Sequence, residues 1–503
     1  MNEVRVRNGQ AIPFADIPEL DIAVFRSNII DKIRSGMRIS ALFGIPERNK
    51  VLLIAVLSNY RQGLLEISRT IVEDSYVSIT SEIPQASWFE REIAEQWGVY
   101  PEGHPWLKPI RFHHSYRKGH DAWNRNAASA LLPGVTTYFQ VDGDEIHEVA
   151  VGPVHAGIIE PGHFRFQCNG ENVLHLEIEL GYQHRGVESS LIGGPDKRTC
   201  HYMETLAGDT SIGHTIAYSL VTEALGNTIP SQRAQAIRAI ALELERLANH
   251  TGDLGALAND IGFLPTSSYC GRIRGDFLNM TAILCGNRFG RNLVCPGGVK
   301  FDLADEKADM LLKRLNASYN DATQAVNLLW DTPSVLARFD DTGIISRSDA
   351  EALGLVGPVA RASGCKQDIR TDFPWGAFRV HNIPVVSWQT GDVHARARVR
   401  MLEIQHSYQF IKDEIGSLTP GEIRKEIPVL AQDHLAVSLV EGWRGEICHV
   451  AVTDTYGRFR HYKIIDPSFH NWSGLSYALR GEQISDFPLC NKSFNLSYCG
   501  HDL

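Results

Sequence analysis

The 503-residue sequence contains nine cysteines, but no two of them are spaced as Cys-x-x-Cys. Paired cysteines at that spacing are typical of metal sites, so the sequence shows no obvious site of this kind. The count is odd and the spacings are irregular, which argues against a disulfide framework. We expect free, mostly buried thiols in a reducing cytosol. The nine positions are Cys168, Cys200, Cys270, Cys285, Cys295, Cys365, Cys448, Cys490 and Cys499.

The chain also lacks a long hydrophobic run. A membrane-spanning helix needs about 20 apolar residues, whereas the longest uninterrupted run, residues 51–57, has the length of a strand. The N-terminal residues MNEVRVRNGQ contain no apolar secretion core, so no signal peptide is predicted. We expect a soluble, cytoplasmic protein that contacts a membrane only through partner subunits.

Two nucleotide-binding patterns are missing as well. The sequence has neither a Gly-x-x-x-x-Gly-Lys-Ser/Thr loop nor a Gly-x-Gly-x-x-Gly motif, so direct nucleotide binding has no support. The net charge is −10 and the isoelectric point is near 6.1. This balance argues against a nucleic-acid-binding protein, because such proteins usually present a basic face.

The residues that are present predict an ordinary globular protein. Apolar residues make up 43% of the chain and charged residues 21%, and the length allows roughly two to four domains. Residues 20–110 predict a small α/β unit, with a helix at 21–34 and strands at 51–57 and 76–79. We expect an acidic, solvated helix at 87–96, followed by a turn-rich segment.

A polar segment at residues 111–147 predicts a linker to a second unit. In that unit, the turn Asn169-Gly170 predicts a hairpin between strands at 163–167 and 173–180. Ser231 is a candidate N-cap for a helix reaching residue 249, and further helices are predicted at 303–329 and 395–414. From residue 440 onward, we expect strands and turns.

Residues 90–111, EREIAEQWGVYPEGHPWLKPIR, place an acidic helix before a loop rich in glycine and proline. The segment alone predicts a docking element and supports no catalysis. As a pattern it resembles the thirty-kilodalton peripheral subunit of respiratory complex I, which implies packing against neighbouring subunits. The matching residues are Arg91, Glu92, Gly98, His104, Pro105 and Leu107.

Motifs spread over the rest of the chain resemble the forty-nine-kilodalton subunit of complex I and the large subunit of energy-converting [NiFe] hydrogenases. They are GPVH at 152–155, EPGHF at 160–164, GYQHRGVE at 181–188, GNRFGRN at 286–292, GDV at 391–393, EGWRGEI at 441–447 and DPSFHNW at 466–472, with a helix bearing Glu243, Arg246, Asn249, His250 and Asp253. Several independent motifs in the same order make the resemblance specific. Both halves lie in one polypeptide, as in formate hydrogenlyase-type large subunits.

The resemblance implies an α+β chain with three parts. Residues 1–110 form an α/β docking domain, residues 111–147 a linker, and residues 148–503 a large-subunit domain with a central helical bundle and β-rich ends.

The resemblance also implies positions for metal ligands. In the hydrogenases, four thiolates hold nickel, and two of them bridge to iron, a ligand set that suits soft metals. Aligned on His214 and on residues 486–489, the four positions carry Ala207, Thr210, Ser497 and Gly500. Alanine and glycine cannot bind a metal, and a hydroxyl is a poor nickel ligand, so we expect no [NiFe] centre. Cys490 and Cys499 lie nearby but out of register; a different site built on them is the alternative.

A quinone site is the second function that the resemblance suggests. In the complex I subunit, a tyrosine and a histidine bind the quinone head group, since both can donate hydrogen bonds and protons to its oxygens. The tyrosine position is Gly208 here, and Tyr202 is the nearest phenol in the sequence. The histidine position lies within residues 160–163, where His163 is the candidate. This departure makes quinone chemistry an open question.

A set of polar residues is expected to converge on the cavity of the family fold. The set comprises His155, Glu160, His163, Glu204, Asp209, Thr210, His214, Arg444 and Asp502. Arg444 matches the arginine that overhangs the hydrogenase metal. A buried carboxylate or imidazole beside an arginine can relay protons, because its pKa is easily moved. The alternative is that these groups pair with one another and stabilise a former active site as structure.

The implied assembly lies on the inner face of the cell membrane. Its other members are an iron–sulfur small subunit that would hold a [4Fe-4S] cluster, a ferredoxin-like subunit and membrane subunits that translocate ions. Three hypotheses remain open for this chain. It serves a redox reaction with an acceptor such as a quinone, it is a structural or ion-coupling subunit without redox chemistry, or, least favoured, it is a hydrogenase with unusual ligands.

Overall fold

The computed structural model describes residues 3–157 and 159–503. Its N-terminal elements are β1 (Val4–Val6), β2 (Gln10–Pro13), β3 (Glu19–Leu20), α1 (Ile22–Arg34), β4 (Arg38–Glu47), β5 (Lys50–Asn59), β6 (Leu64–Val72), β7 (Ser75–Val77), α2 (Ser87–Trp97) and β8 (Tyr100–Glu102). A sheet of order β1-β6-β5-β4, with β3 beside β6, forms the centre of this unit. Helices α1 and α2 pack against the sheet, which gives the predicted α/β arrangement.

Local sequence signals account for α1 and β5. The Asp21 carboxylate accepts the Ala23 N–H at 2.9 Å and caps α1, while Phe25 and Ile29 point from the helix into the core. Nearly the whole of β5 is buried, because the strand lies inside the sheet with both faces covered. The predicted helix at 21–34 and strand at 51–57 are confirmed.

The expectation of a solvated helix at residues 87–96 is wrong. Helix α2 is buried along almost its entire length, including its carboxylates. Glu90 accepts hydrogen bonds from the hydroxyls of Ser78 and Thr80, both at 2.6 Å. Glu92 pairs with Arg111 and with Lys463. Burial alone would raise the pKa of Glu92, but the two cations outweigh it and lower the pKa to about 2. The acidic pattern suggested carboxylates exposed to water, but in the fold these carboxylates are buried and bind hydroxyl groups and cationic side chains instead.

Residues 103–145 contain turns and extended chain but no helix or strand. Beyond them lie β9 (Ile146–Val151), β10 (His163–Asn169), β11 (Asn172–Glu179), α3 (Val187–Ser190), α4 (Thr199–Met203), α5 (Ser211–Leu225), α6 (Gln232–Asp260), α7 (Leu264–Cys285), β12 (Val294–Cys295), β13 (Gly298–Val299), α8 (Asp305–Trp330), α9 (Pro333–Phe339), α10 (Arg347–Leu353), α11 (Gly357–Ala362), α12 (Ile369–Asp372), α13 (Val393–Gly416), β14 (His434–Gly442), β15 (Gly445–Thr453), β16 (Phe459–Ile465), α14 (Pro467–Ala478), α15 (Phe487–Phe494) and α16 (Tyr498–Asp502). The predicted β10–β11 hairpin is confirmed.

Helix α6 is the centre of the helical part. The Ser231 hydroxyl accepts the Ala234 N–H at 3.1 Å, so the predicted cap is confirmed. The helix continues to Asp260 rather than ending near residue 249. Helices α7, α13 and α15 pack around it, and most of its residues are therefore buried, including several charged ones.

The C-terminal sheet joins the two ends of the chain. Its strand order is β16-β15-β14-β2, so the N-terminal strand β2 pairs with β14, Ile12 opposite Leu435. The hydroxyl of Tyr60, the residue after β5, donates a hydrogen bond to the carboxylate of Glu446 in β15 at 2.7 Å. The apolar core of the N-terminal unit continues into this sheet through Val437 and Val450. The division into units at residues 110 and 147 stays a prediction.

The expectation of strands and turns after residue 440 holds only to Ile465. Three helices follow, α14, α15 and α16. Asp466 caps the first of them by accepting the Ser468 N–H at 2.8 Å, and Pro467 occupies the first helical position. Among the described residues, no helix is both long and apolar enough to span a bilayer.

Candidate functional site

Arg444 and Asp209 form the ion pair at the centre of the candidate site. Arg444 lies in the two-residue turn between β14 and β15, and Asp209 lies just before α5. The guanidinium donates to both carboxylate oxygens, at 2.6 and 2.9 Å. Burial would raise the pKa of Asp209, but Arg444 outweighs it and holds the pKa below its usual value. Arg444 is nearly buried, while one third of the Asp209 side chain is exposed.

A cavity of about 290 Å³ opens beside this pair. Phe289 supplies an apolar wall, and the Glu160 carboxylate accepts the N–H groups of Tyr498 and Cys499, both at 3.3 Å. Burial, with Glu160 nearby, raises the pKa of the Cys499 thiol to about 12, so the thiol stays protonated near neutral pH. The lining residues are Glu160, Gly208, Asp209, Phe289, Ser497 and Cys499.

A chain of four buried groups leads away from the ion pair. Asp466 Oδ2 lies 3.0 Å from His214 Nε2, and His214 Nδ1 lies 3.1 Å from His449 Nε2. His449 Nδ1 in turn lies 2.9 Å from the Tyr462 hydroxyl. All four side chains are fully buried. We call these four residues the Tyr462–Asp466 chain.

One arrangement of protons satisfies every link of this chain. The Tyr462 hydroxyl donates to His449, His449 Nε2–H donates to His214, and His214 Nε2–H donates to Asp466. His449 is then neutral, in agreement with its burial, which together with the neighbouring His214 lowers its pKa far below the usual value. Burial opposes the ionisation of Asp466, but His214 and Arg444 outweigh it and lower its pKa. In this arrangement each hydrogen points toward Asp466, which would let the chain pass protons in that direction.

The four positions at which the resemblance expects thiolates are closely packed. A Cβ atom at Gly500 would lie 2.7 Å from the Asp466 carboxylate carbon. The Ser497 hydroxyl accepts the Gly500 N–H at 2.9 Å and caps α16. Thr210 lies 3.3 Å from both Asp209 and Arg444, and Ala207 is buried. This donor set, with a carboxylate filling the space beside Gly500, does not fit a nickel–thiolate centre.

The predicted site residues fall into two groups. Glu160 and Asp209 line the cavity, and Arg444 bonds to Asp209 and Thr210 beside it. His214 bonds to Asp466, whose pKa the nearby Arg444 lowers. Cys499 lines the same cavity, whereas Cys490 is buried in α15 against Gly343.

The remaining predicted residues make contacts elsewhere. His155 bonds to the Gly162 carbonyl at 2.9 Å, and Arg165 donates to His163 at 3.4 Å. The Glu204 carboxylate accepts the Asn292 N–H.

Asp502 is also engaged away from the cavity. Its carboxylate accepts the N–H groups of Gly181 and Gln183, at 2.8 and 2.9 Å, and so fixes that loop. Tyr202, the nearest phenol in sequence, packs half-buried against an apolar cluster. Within the described chain, the hydrogen bonds and ring contacts of His163 and the apolar packing of Tyr202 involve none of the residues that line the cavity.

Four members of the site were not predicted from the sequence: His449, Tyr462, Asp466 and Glu245. Glu245 of α6 accepts the N–H groups of Ile212 and Gly213 at the start of α5, and burial raises its pKa to about 8. The motif DPSFHNW contains Asp466 but gave no reason to assign it a role. His449 lies in β15 and Tyr462 in β16, and neither belongs to a recognisable motif. Their proximity follows from the register of the two strands and cannot be inferred from the sequence.

A larger cleft of about 590 Å³ lies apart from this site, between the N-terminal segment and the start of α6. Two of its four charged lining residues, Glu223 and Arg238, bond to each other at 2.5 and 3.1 Å. Their charges are therefore already satisfied internally, and the smaller cavity remains the better candidate.

Comparison with protein families gives two matches. Residues 30–124 match the family of the respiratory-chain NADH dehydrogenase 30 Kd subunit, and residues 260–436 match that of the 49 Kd subunit. The two matches lie in the same order as the motifs found in the sequence.

Individual relatives extend the likeness over most of the chain. Formate hydrogenlyase subunit 5 of Escherichia coli is 30% identical over 494 residues, which cover 92% of this chain and 84% of the relative. Hydrogenase-4 component G of the same organism is 28% identical over 84% of this chain and 75% of the relative. NADH-quinone oxidoreductase subunit 4 of Thermus thermophilus is 30% identical over 68% of this chain and 90% of the relative.

Proposed function

Because the chain belongs to the family of fused large subunits that includes formate hydrogenlyase subunit 5, we propose that it is the large subunit of a membrane-associated oxidoreductase assembly. In this role it holds an electron acceptor beside an iron–sulfur small subunit that carries a [4Fe-4S] cluster. The electrons pass to an acceptor in the cavity beside Asp209, and the reaction is coupled to ion translocation by membrane subunits. A ferredoxin-like subunit completes the electron path, and the assembly lies on the inner face of the cell membrane.

The Tyr462–Asp466 chain is the observation that carries this proposal. It ends at Asp466, whose carboxylate lies against Gly500 and is stabilised by the nearby Arg444. Reduction of an acceptor such as a quinone consumes protons as well as electrons. A buried chain of donors that all point toward the site supplies the means to deliver those protons.

We propose a quinone as the acceptor. Phe289 offers an apolar surface for a ring, and two carboxylates, Glu160 and Asp209, border the same cavity. The relative from Thermus thermophilus is named an NADH-quinone oxidoreductase subunit. Gly208 supplies space rather than a phenol, so the protons would arrive along the Tyr462–Asp466 chain, in which the ionised Asp466 relays them, rather than from a tyrosine beside the ring.

We propose further that the protein works without a [NiFe] centre. The four expected ligand positions carry Ala207, Thr210, Ser497 and Gly500, none of which supplies a thiolate. The groups at these positions already have partners within the chain. The Ser497 hydroxyl accepts the Gly500 N–H, and the Asp466 carboxylate fills the space beside Gly500. A hydrogenase with unusual ligands is therefore the least favoured hypothesis.

A second candidate function is ion coupling without redox chemistry. Gly208 favours it, because the lining residues of the cavity include no phenol and no imidazole within the described ranges. In that case the Asp209–Arg444 pair and the Tyr462–Asp466 chain would only bind and release protons, as parts of a former active site.

The intact assembly, purified through a tag on this chain, separates the candidates. Elemental analysis is expected to find iron from the partner subunit and nickel well below one atom per assembly; stoichiometric nickel would restore the hydrogenase hypothesis. Arg444→Lys keeps the charge but loses the two-pronged bond to Asp209, so quinone reduction should fall about tenfold or more.

His163→Gln is the matched control, because the hydrogen bonds of His163 within the described chain go to Gly152 and Arg165 and not to the cavity-lining residues. Its turnover should equal that of the unmodified assembly. Unchanged turnover in both variants, with the assembly intact, would favour the ion-coupling function.

A further inference from the structure

A second group of buried charges lies behind the turn that carries Arg444. We call it the α6–α13 charge cluster. Its guanidinium groups belong to Arg246, Arg361 and Arg370, and its carboxylates to Glu243, Glu403, Glu441 and Asp368. Each of these side chains is at most 2% exposed, so solvent cannot screen their charges.

Direct contacts connect the cluster throughout. Glu403 lies in its middle, 3.0 Å from Arg246 and 2.7 Å from Arg361. Arg370 contacts Glu243 at 3.0 Å and Asp368 at 2.7 Å. The groups therefore behave electrostatically as one unit rather than as separate ion pairs.

The cluster has one negative charge too many. Three guanidinium groups, which stay protonated, face four carboxylates. An uncompensated charge in a buried, low-dielectric environment is costly, and the usual remedy is that one group changes its protonation state. Binding of one proton makes the cluster neutral.

Glu441 is the carboxylate with the weakest compensation. Among the described residues, its side chain contacts one guanidinium, that of Arg361 at 2.7 Å, and otherwise accepts the Ile369 N–H at 3.0 Å. Glu403 contacts two guanidinium groups and also accepts from His250 at 2.8 Å. Glu243 contacts two as well and accepts from a serine hydroxyl.

We propose that the α6–α13 charge cluster is a proton-binding site, with Glu441 as the residue that takes up and releases the proton. The step forms one O–H bond on a Glu441 oxygen, takes a proton from water and involves no electron transfer. Burial and the nearby Asp368 raise the pKa of Glu441 to about 7, despite three arginines that oppose them. The proposal does not depend on which acceptor the cavity holds.

Other titratable groups around the cluster do not take over this role. They are His250 and the Arg400–Asp253 pair against α6, His406 on α13, and Asp372 at the end of α12. Burial lowers the pKa of both histidines, so they remain neutral near pH 7. Burial raises the pKa of Asp372 to about 6, but that carboxylate lies at the partly exposed edge.

The β14–β15 hairpin places this site directly behind the cavity. Arg246 donates to the backbone carbonyl of Glu441 at 2.7 Å. Two residues further on, the Trp443 indole donates to the Asp209 carbonyl at 3.0 Å, and Arg444 binds the Asp209 carboxylate. A short, rigid turn thus joins the proton-binding carboxylate to the ion pair of the candidate site.

Infrared spectroscopy of the full-length chain tests the proposal without any redox reaction. A protonated buried carboxyl group gives a C=O stretching band that disappears on ionisation. In the unmodified protein, such a band should be lost with a midpoint near pH 7. Glu441→Gln should lack it. Glu245→Gln is the matched control, because burial raises the pKa of that separate carboxyl to about 8; this variant should keep the band with a midpoint near 7.

Asp368→Asn provides a second test that does not remove the titrating residue. It deletes one neighbouring negative charge, so the midpoint of the Glu441 band should move down by about one pH unit or more. A band near pH 7 that persists unchanged in Glu441→Gln would overturn the proposal. If that variant does not fold, a midpoint unmoved in Asp368→Asn would overturn it. A loss of quinone activity with normal carboxyl titration would count only against the proposed function.

Discussion

The carboxylate of Asp466 lies against Gly500, 2.7 Å from the point at which a side chain of residue 500 would begin. Gly500 is a position at which the family resemblance expects a thiolate ligand, and its missing side chain is what admits the carboxylate. The same carboxylate accepts a hydrogen bond from His214. The substitution at residue 500 and the buried Tyr462–Asp466 chain are therefore parts of one arrangement.

Replacing Gly500 with alanine should destabilise the protein. The new methyl group would have to displace Asp466 and strain its bond to His214, which we expect to cost about 1–3 kcal/mol. Urea denaturation of the full-length chain measures the change. Gly275→Ala is the control, because that glycine lies in helix α7 with nothing within 4 Å of an added Cβ; it should be neutral or slightly stabilising. Equal effects of the two changes would contradict the close approach of Asp466.

Asp466→Asn should change how stability depends on pH. The folded protein holds the pKa of Asp466 below its usual value, so the carboxylate stabilises the fold above pH about 4, and this contribution is lost as the pH falls. The free energy of unfolding should therefore drop by about 2 kcal/mol at pH 7, and the difference from the unmodified protein should shrink below pH 4. A difference that stays constant from pH 7 to pH 3 would rule out an ionised Asp466.

Glu95→Ala should loosen the segment that follows the N-terminal unit. The Glu95 carboxylate accepts the N–H groups of Ile110, Arg111 and Phe112 at 2.7–3.0 Å. Three buried donors would lose their acceptor, at a cost of about 3 kcal/mol or more. Hydrogen exchange should show faster exchange at residues 110–112.

Glu73→Ala is the comparison for this change. Glu73 is an exposed carboxylate paired only with Lys50, so its loss should cost less than about 1 kcal/mol. Unchanged protection of residues 110–112 in Glu95→Ala would show that these donors find other partners.

Local signals in the sequence predicted much of the secondary structure. The Asp21 and Ser231 caps and the Asn169-Gly170 turn act over a few residues, and each lies where it was expected. The burial of α2 could not be predicted in this way. Its acidic residues resemble a solvated face until Arg111 and Lys463 are brought beside Glu92 by the fold.

The candidate site was predictable only in part. Family motifs pointed to Asp209, His214 and Arg444, and the structure brings them to one region. His449 and Tyr462 could not be found in the same manner, because their partners are set by the register of β14, β15 and β16 and by the packing of α5 on that sheet. The pairing of β2 with β14 likewise joins residues more than 400 positions apart.

The most direct test of the account is quinone reduction by the purified assembly when His449 is replaced by phenylalanine or by glutamine. Both changes break the Tyr462–Asp466 chain without touching the Asp209–Arg444 pair. The account predicts that the donor still reduces the small subunit's iron–sulfur cluster, seen by electron paramagnetic resonance, while quinone turnover falls about tenfold or more. Turnover equal to that of the unmodified assembly, in variants that assemble normally, would contradict it.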